Sequence, residues 1–228
     1  MDMKIVILNG NTKKSGFIAG ALSIVSSYLV SKGIDVQYIS LYESDIKDCI
    51  GCFNCLKTGQ CIVKDDMEKI IDAMKEADGF VIGSPVRNGH TTACYKRFIE
   101  RITYTLGFTL LLEDKYTLAI SSVGYLGGKK INRIFLGLQS IFHTRLSGFL
   151  FYKLGGITSK IEPSDVRLEI ERATDRFVSD IKTQSKRSIF NRIAFYIDRM
   201  AVRKMMLEKY PDTYANVIKC WKEKGYMS

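Results

Sequence analysis

Five short apolar runs, spaced so that helix-length segments fit between them, limit what this chain can fold into more than any other feature. Lys4 to Leu8 (KIVIL), Val36 to Ser40, Gly79 to Gly83 (GFVIG), Tyr116 to Ser122 (YTLAISS) and Gly148 to Tyr152 (GFLFY) read as strands. Helix-period segments cover Gly16 to Ser31, Asp66 to Ala77, Thr91 to Tyr104, Lys129 to Leu146 and Ser164 to Gln184. Continuous apolar strands need cover on both faces, and the intervening helices supply it. The pattern therefore predicts an α/β fold with a doubly wound, five-stranded parallel sheet in the order 2-1-3-4-5. With 228 residues, 46% of them hydrophobic, the chain can build one substantial core, or a core plus a small appendage. Residues 1–184 are expected to form the sheet domain, with a cysteine loop at 45–64, and residues 185–228 a basic amphipathic helical extension.

That cysteine loop holds Cys49, Cys52, Cys55 and Cys61, a C-x2-C-x2-C-x5-C run. Thiolates so close in sequence can converge on one soft inorganic centre, and three ligands from one short loop are typical of iron-sulfur ligation. Structural zinc is the weaker reading, because it usually draws pairs of ligands from two separated knuckles and no histidine lies nearby. Uncoordinated or redox-active thiols are the other alternative. The chain runs from Met1 into a strand pattern without a signal peptide, so reduced thiols in the cytoplasm are expected rather than disulfides. Cys94 and Cys220 fall in helical patterns and read as packing. The greasiest stretch, around Leu106 to Leu112, is interrupted by Gly107 and Thr109 and falls far short of a membrane span of about 20 residues.

In a sheet of this kind ligands bind at the carboxyl ends of the strands. The loop after the first strand runs Asn9-Gly10-Asn11-Thr12-Lys13-Lys14-Ser15-Gly16 and opens a helix. Its glycines bring backbone close to a ligand, its short polar side chains offer hydrogen bonds, and the helix start with Lys13 favours an anion. It lacks the spacing of a Walker A loop or a dinucleotide fingerprint, so a mononucleotide phosphate fits better. The loops Ser84-Pro85-Val86-Arg87-Asn88-Gly89-His90 and Ser122-Val123-Gly124-Tyr125-Leu126-Gly127-Gly128 could border one flat ring from two sides. Ordinary turn chemistry also accounts for each of them taken singly.

Together these segments resemble a known family. Gly10-Asn11-Thr12 with Ser15-Gly16-Phe17, the Cys49 to Cys61 run followed by Lys64-Asp65-Asp66-Met67, Ala77-Asp78-Gly79 to Pro85-Val86, and Lys96-Arg97-Phe98-Ile99-Glu100-Arg101 look like the flavodoxin-like NAD(P)H-dependent FMN reductases. More narrowly, the chain resembles their iron-sulfur flavoprotein branch, over roughly its first two-thirds. The resemblance implies FMN at the strand ends and a [4Fe-4S] cluster on the insertion after the second strand. It also implies a homodimer or homotetramer in which the flavin and cluster of neighbouring subunits approach.

Carried over, Gly10, Asn11, Lys13, Ser15, Gly16, Phe17 and Ile18 would hold the FMN phosphate. Pro85, Val86, Arg87, Asn88 and Gly89 would line the isoalloxazine, with Val123, Gly124, Gly127 and Gly128 on its other side. Three positions depart from the family: Asn11-Thr12 stands where many relatives carry Ser-Pro, and Arg87 where an aromatic is common. A cation there would favour the anionic reduced flavin and raise its potential.

His90 is a weak candidate proton donor, with helix capping as its simpler role. His143 reads as structural, within an apolar helix. Lys96, Arg97, Glu100 and Arg101 have helical spacing and read as a salt-bridged surface or interface face. From Ser185 onward there are 10 basic and 4 acidic residues, out of a net charge of +10 for the whole chain. There Ile189, Ile193, Tyr196, Ile197, Met200, Val202, Met205 and Met206 alternate with Arg187, Arg192, Arg199, Arg203 and Lys204, and a second helix runs to Trp221. Packing on the core or on a dimer partner is favoured over peripheral membrane contact and over a dock for an acidic partner. No nucleic acid is expected, since no base-reading module accompanies the basic tail.

The expectation is thus a flavin-dependent oxidoreductase moving electrons between a small-molecule or protein donor and an acceptor. A cluster-free FMN or quinone reductase is the alternative enzyme. A zinc-binding module with a partner-recruiting tail is the non-enzymatic one.

Overall fold

The computed structural model describes residues 3–13, 15–139, 142–156, 161–186 and 189–227. Five strands, β1 (Lys4–Asn9), β2 (Asp35–Ser40), β3 (Gly79–Pro85), β4 (Tyr116–Val123) and β5 (Arg145–Lys153), pair in parallel in the order β2-β1-β3-β4-β5. This is the flavodoxin-like sheet expected from the apolar runs. Val36, Ile5, Gly79, Tyr116 and Arg145 form one row across all five strands, so the carboxyl ends emerge together along one edge.

Successive side chains of a strand point to opposite faces, and each face of this sheet buries its own core. Val6, Leu8, Phe80, Ile82 and Ala119 pack under α3 (Met67–Glu76), α4 (Ala93–Ile102) and α5 (Lys129–Leu136) through Ile70, Met74, Phe98, Ile102 and Leu136. Ile5, Ile7, Val81, Leu118 and Ile120 pack under α1 (Phe17–Ser31) and α6 (Arg167–Lys182) through Leu22, Val25, Ile170 and Phe177. Each fully buried Ile, Leu, Val or Phe contributes about 1.5–3 kcal/mol of burial free energy, which is what obliges both faces to be covered.

One expected boundary is corrected. The helix read over Lys129 to Leu146 ends at Leu136, and Arg145 and Leu146 belong to β5, paired with Tyr116 and Thr117. Leu138 and His143 both have positive φ, and the Thr144 hydroxyl bonds the carbonyls of Gly137 and Leu138 at 2.7 and 3.0 Å. The chain is thereby turned out of the helix and into the ladder, where pairing with β4 prevails over local helical periodicity. His143 accordingly sits in a turn, with its ring 4.8 Å from that of Phe195, and not in a helix. Residues 140 and 141 of the expected helix lie outside the described residues, as does Arg187 of the basic tail.

A third, smaller apolar cluster lies apart from the sheet. It joins Leu56 of a short helix α2 (Asn54–Thr58) in the cysteine loop to Leu110, Leu207, Val217 and Trp221. The last two lie in α8 (Ala215–Glu223), which follows α7 (Ile189–Val202) and a π-helical turn at Arg203–Leu207. Trp221 Nε1 donates to the Phe108 carbonyl at 2.8 Å, and a Glu113 carboxylate oxygen accepts from Lys224 Nζ at 2.9 Å and the Tyr226 hydroxyl at 2.7 Å. The tail is therefore fastened to the segment after α4 and to the cysteine loop. Ile189, Ile193, Tyr196, Ile197 and Met200 of α7 remain exposed on one stripe. Among the described residues, no helix is long and apolar enough to cross a membrane.

Candidate functional site

At the carboxyl edge of the sheet a cavity of about 440 Å³ opens between the loops after β1, β3 and β4. Its lining contains ten of the residues expected there: Asn11, Lys13, Ser15, Gly16, Phe17, Ile18, Pro85, Val86, Arg87 and Gly124. The first loop is shaped by asparagines. Asn9 Oδ1 accepts the Asn11 backbone N–H at 2.9 Å, and Asn11 Nδ2 donates to the carbonyls of Lys13 and Ser15 at 3.0 and 3.4 Å, closing the loop on itself. Gly16 then enters α1 at φ 113° and ψ 171°, a conformation essentially confined to glycine. It provides no side-chain cap, and no acidic residue stands in the first turn. The leading N–H groups of a 15-residue helix thus face the cavity beside Lys13, which suits an anion.

The second loop is a tight reversal. Arg87 and His90 exchange backbone hydrogen bonds of 2.7 and 2.8 Å, with Asn88 and Gly89 between them at φ 48° and 79°. Positive φ at both central residues selects Asn-Gly, so this sequence pair exists to make that turn. The third loop leans on it: a Cβ on Gly128, at φ +71°, would lie 2.6 Å from Val86 Cγ1 and 3.1 Å from the Gly89 carbonyl oxygen. Gly128 therefore sets the spacing of the two loops from behind the cavity.

Gly10, Asn88, Gly89, Val123, Gly127 and Gly128 do not line the cavity and act, where they act, through the backbone that carries the lining residues. His90 is exposed and outside it, its ring 5.8 Å from Phe135. Four lining residues escaped sequence reading: Ser122, Tyr125, Leu154 and Gly156. Tyr125 lay within a loop already singled out, whereas Leu154 and Gly156 follow β5, a strand whose following loop carried no motif. Beneath the loops Asn132 is fully buried and donates from Nδ2 to Ser121 Oγ at 2.7 Å, which in turn donates to the Ser84 carbonyl at 2.9 Å.

The cysteine loop leaves the same sheet after β2. Cys49, Cys55 and Cys61 are partly buried, Cys52 is exposed, and all six cysteines of the chain are free. Burial first, and then the neighbouring thiols of Cys61, Cys49 and Cys52, push the Cys55 thiol up to about 11. Among the described residues, however, no three His, Cys, Asp or Glu side chains are gathered in a position to hold a metal ion.

The neck of this loop is built on Arg101, which helical spacing placed on a salt-bridged surface or interface face and which the structure instead buries within the chain. Its side chain is 2% exposed and pairs with Asp65, which is 1% exposed. One guanidinium nitrogen donates to Asp65 and to the Lys47 carbonyl, the latter at 2.8 Å. The other approaches Asp65 Oδ1 at 3.1 Å, the Val63 carbonyl at 3.4 Å and Cys61 Sγ at 3.5 Å. Asp65 also accepts the backbone N–H groups of Lys47 at 2.9 Å and Met67 at 3.0 Å. Burial alone would push its carboxyl up, but Arg101 and these amides outweigh burial and hold it below the ordinary carboxylate value. Lys96 with Glu100, and Arg97 with Asp48 at 2.7 Å, do form the exposed ion pairs expected of that helix face.

Comparison with known proteins gives a consistent result. The sequence model of the family described as NADPH-dependent FMN reductase matches residues 3–136, more than half of the chain. An iron-sulfur flavoprotein of Clostridioides difficile is 29% identical over 98% of this chain and 99% of its own length. Another from Archaeoglobus fulgidus is 36% identical over 43% of this chain, a match that spans about half (48%) of that relative. Among solved structures, RosB, determined with bound 8-demethyl-8-formylriboflavin-5'-phosphate, shares the fold with a TM-score of 0.62 at 15% identity, over 99% of this chain and 88% of that one.

Proposed function

The chain belongs to the NADPH-dependent FMN reductase family and is a flavin-dependent oxidoreductase, and from that premise we propose that it is an iron-sulfur flavoprotein. In this reading it passes electrons between a reduced donor and an acceptor through FMN and a [4Fe-4S] cluster. The observation that carries the reading is the cavity of about 440 Å³ at the strand ends, within the size range of small-molecule sites, with the open start of α1 at one end and the loops after β3 and β4 at the other.

FMN fits this lining. The α1 N–H groups, Ser15, Asn11 and Lys13 would hold its phosphate, with Gly16, Phe17 and Ile18 shaping the helix entry. Pro85, Val86 and Arg87, on the turn made by Asn88 and Gly89, would border one side of the ring. Gly124, on the loop set by Val123, Gly127 and Gly128, would border the other. Gly10 would carry the chain past the phosphate, and Arg87, in the cavity lining, would bring a cation near the ring and favour reduced, anionic flavin. When bound, FMN supplies the exchange between hydride and single-electron chemistry.

The donors of the cysteine loop suit a cluster by their chemistry, and their side chains would have to draw together to hold one. Four thiols stand on one loop tied at its neck, and a buried guanidinium lies beside one sulfur where the negative charge of a thiolate-ligated centre would develop. Cys49, Cys52, Cys55 and Cys61 would be its ligands. The named relatives are iron-sulfur flavoproteins, which supports the same assignment. Free thiols agree with a reducing, cytoplasmic setting. The exposed apolar stripe of α7 supports self-association as a homodimer or homotetramer.

Anaerobic purification tests the proposal. Brown protein with about one FMN and about four irons per chain is expected. Yellow, iron-free protein would select the cluster-free reductase, and colourless protein with stoichiometric zinc would overturn both redox readings.

A further inference from the structure

A second open region lies at the amino end of the edge strand β5, opposite the carboxyl edge that carries the first cavity. A cavity of about 560 Å³ opens there between β5, the end of α6 and α7, with Arg145, Ser147, Arg176, Asp180, Lys186 and Asp198 among its lining. Protein interiors pack closely and leave few voids larger than a water molecule, so a space of this size under a helix is more than a packing defect. Its strand wall is irregular: Thr117 pairs with Leu146 and Leu118 with Gly148, which leaves Ser147 without a partner across the ladder. Such bulges at a sheet edge re-aim a side chain. Ser147 is 7% exposed, and among the described residues its Oγ and Arg145 Nε are buried polar atoms with no hydrogen-bond partner. Donors so placed call for an acceptor. A further cavity of about 370 Å³ adjoins the first at His143 and Asp198, which line both, and its walls include Phe108, Leu110, Val202, Met206 and Trp221. A polar limb and an apolar limb therefore lie side by side beneath α7.

We infer that this cleft is a second small-molecule site, separate from the cofactor cavity, and that it takes a monocarboxylate with an apolar tail. Charge selects the head group. Arg145, Arg176 and Lys186 line the polar limb and Arg199 the apolar one, against Asp180 and Asp198 in the lining and Asp114, which pairs with Arg145 at 2.8 Å. One cation is in excess, which suits a single negative charge; the two lining carboxylates disfavour a dianion such as phosphate. Among the described residues Arg176 and Lys186 form no ion pair, so their charges are available to a ligand. A guanidinium matches a carboxylate in shape as well as in sign. The head would lie against Arg176 and Lys186 with one oxygen accepting from Ser147, and the tail would cross the boundary at His143 to bury itself against Val202, Met206 and Trp221. Bound in this way, the tail completes the packing of the inner side of α7.

Trp221 is the only tryptophan of the chain and lines the apolar limb, so its fluorescence reports occupancy directly. The test titrates the full chain with dodecanoate below its micelle-forming concentration and measures bound dodecanoate by equilibrium dialysis on the same samples. Saturable binding of about one molecule per chain is expected, with a parallel change in Trp221 emission and increased amide protection of α7. Dodecyltrimethylammonium, which carries the same tail on a cationic head, is expected not to bind. Arg176→Glu reverses a charge in the polar limb and Ala201→Phe fills part of the apolar limb; each should weaken dodecanoate binding at least about tenfold, whereas Lys69→Glu, the same charge change on α3 outside the cleft, should leave it unaltered. Amide protection of the sheet shows which variants are folded; if one is not, the other decides, and if neither is, the comparison of the two head groups decides. Equal binding of both head groups, uptake without saturation, or affinity unchanged in both folded variants would overturn the inference. So would a Trp221 response to phosphatidylglycerol vesicles without one to free dodecanoate, which would assign the anion to a membrane surface.

Discussion

Replacing Trp221 by alanine should open the cysteine loop while leaving the sheet intact. Trp221 is 1% exposed and is among the largest fully buried side chains in the molecule. Truncating a buried Trp or Phe to Ala costs about 3–5 kcal/mol. The Phe108 carbonyl, which accepts the indole N–H at 2.8 Å, loses its partner as well. At about 1.4 kcal/mol per power of ten, the burial loss alone raises the equilibrium constant for releasing α8 by two to three and a half powers of ten. The cluster of Leu56, Leu110, Leu207, Val217 and Trp221 shares no residue with the cores on either face of the sheet, so the cost falls on the tail and on α2. Peptide-resolved amide hydrogen exchange on the full anaerobic chain measures this directly. Segments covering residues 54–59 and 215–223 should lose protection, while those covering β1, β3 and β4 keep theirs and FMN content is unchanged. Equal loss across the sheet, or undiminished protection of α2, would refute the division of the molecule into separately stabilised parts.

Two further outcomes follow from the site. Gly128→Ala places a Cβ 2.6 Å from Val86 Cγ1 at a φ of +71°, so the loops after β3 and β4 must separate; FMN affinity, followed by fluorescence quenching of added FMN, should fall at least about tenfold, because small displacements of positioning groups are costly. The Asp65 carboxyl is held below its ordinary value by Arg101, so its stabilising contribution is full above the unfolded-state value of about 3.9 and is lost as pH falls through the lower folded-state value. In urea titrations of cofactor-free protein, the gap between the unmodified chain and Asp65→Asn should therefore be widest at neutral pH and narrow toward about pH 3; a constant gap would contradict the pairing.

The sheet was legible because strands buried on both faces leave continuous apolar runs, and KIVIL or GFVIG admits few other readings. The loops around the cavity were legible for a different reason: Asn88-Gly89 and Gly16 are residues that a reversal and a tight helix entry demand. Where competing signals overlapped, reading failed. Arg145 and Leu146 continue a helical period, and only their partners on β4 assign them to a strand. Arg101 shares an i,i+4 charge pattern with Lys96, Arg97 and Glu100, and nothing local distinguishes the one member that turns inward. Its burial is decided by Asp65 and Lys47, which approach it only after the cysteine loop has folded back. Leu56 and Trp221 likewise carry no mark of their contact, because sequence patterns report which residues are buried and not what buries them.

The packing of α8 against α2 also fixes an order of events during synthesis. Cys61 emerges about 160 residues before Trp221, an interval of roughly 8–30 s at about 5–20 residues per second. Through that interval the sheet can begin to form, yet the surface that covers Leu56 has not been made. The short helix of the cysteine loop thus waits for its cover until the end of synthesis, although it lies in the first third of the chain. Burial of Leu56 thus belongs to the finished chain, and a ribosome stalled before α8 would hold a nascent sheet domain with that side chain still uncovered.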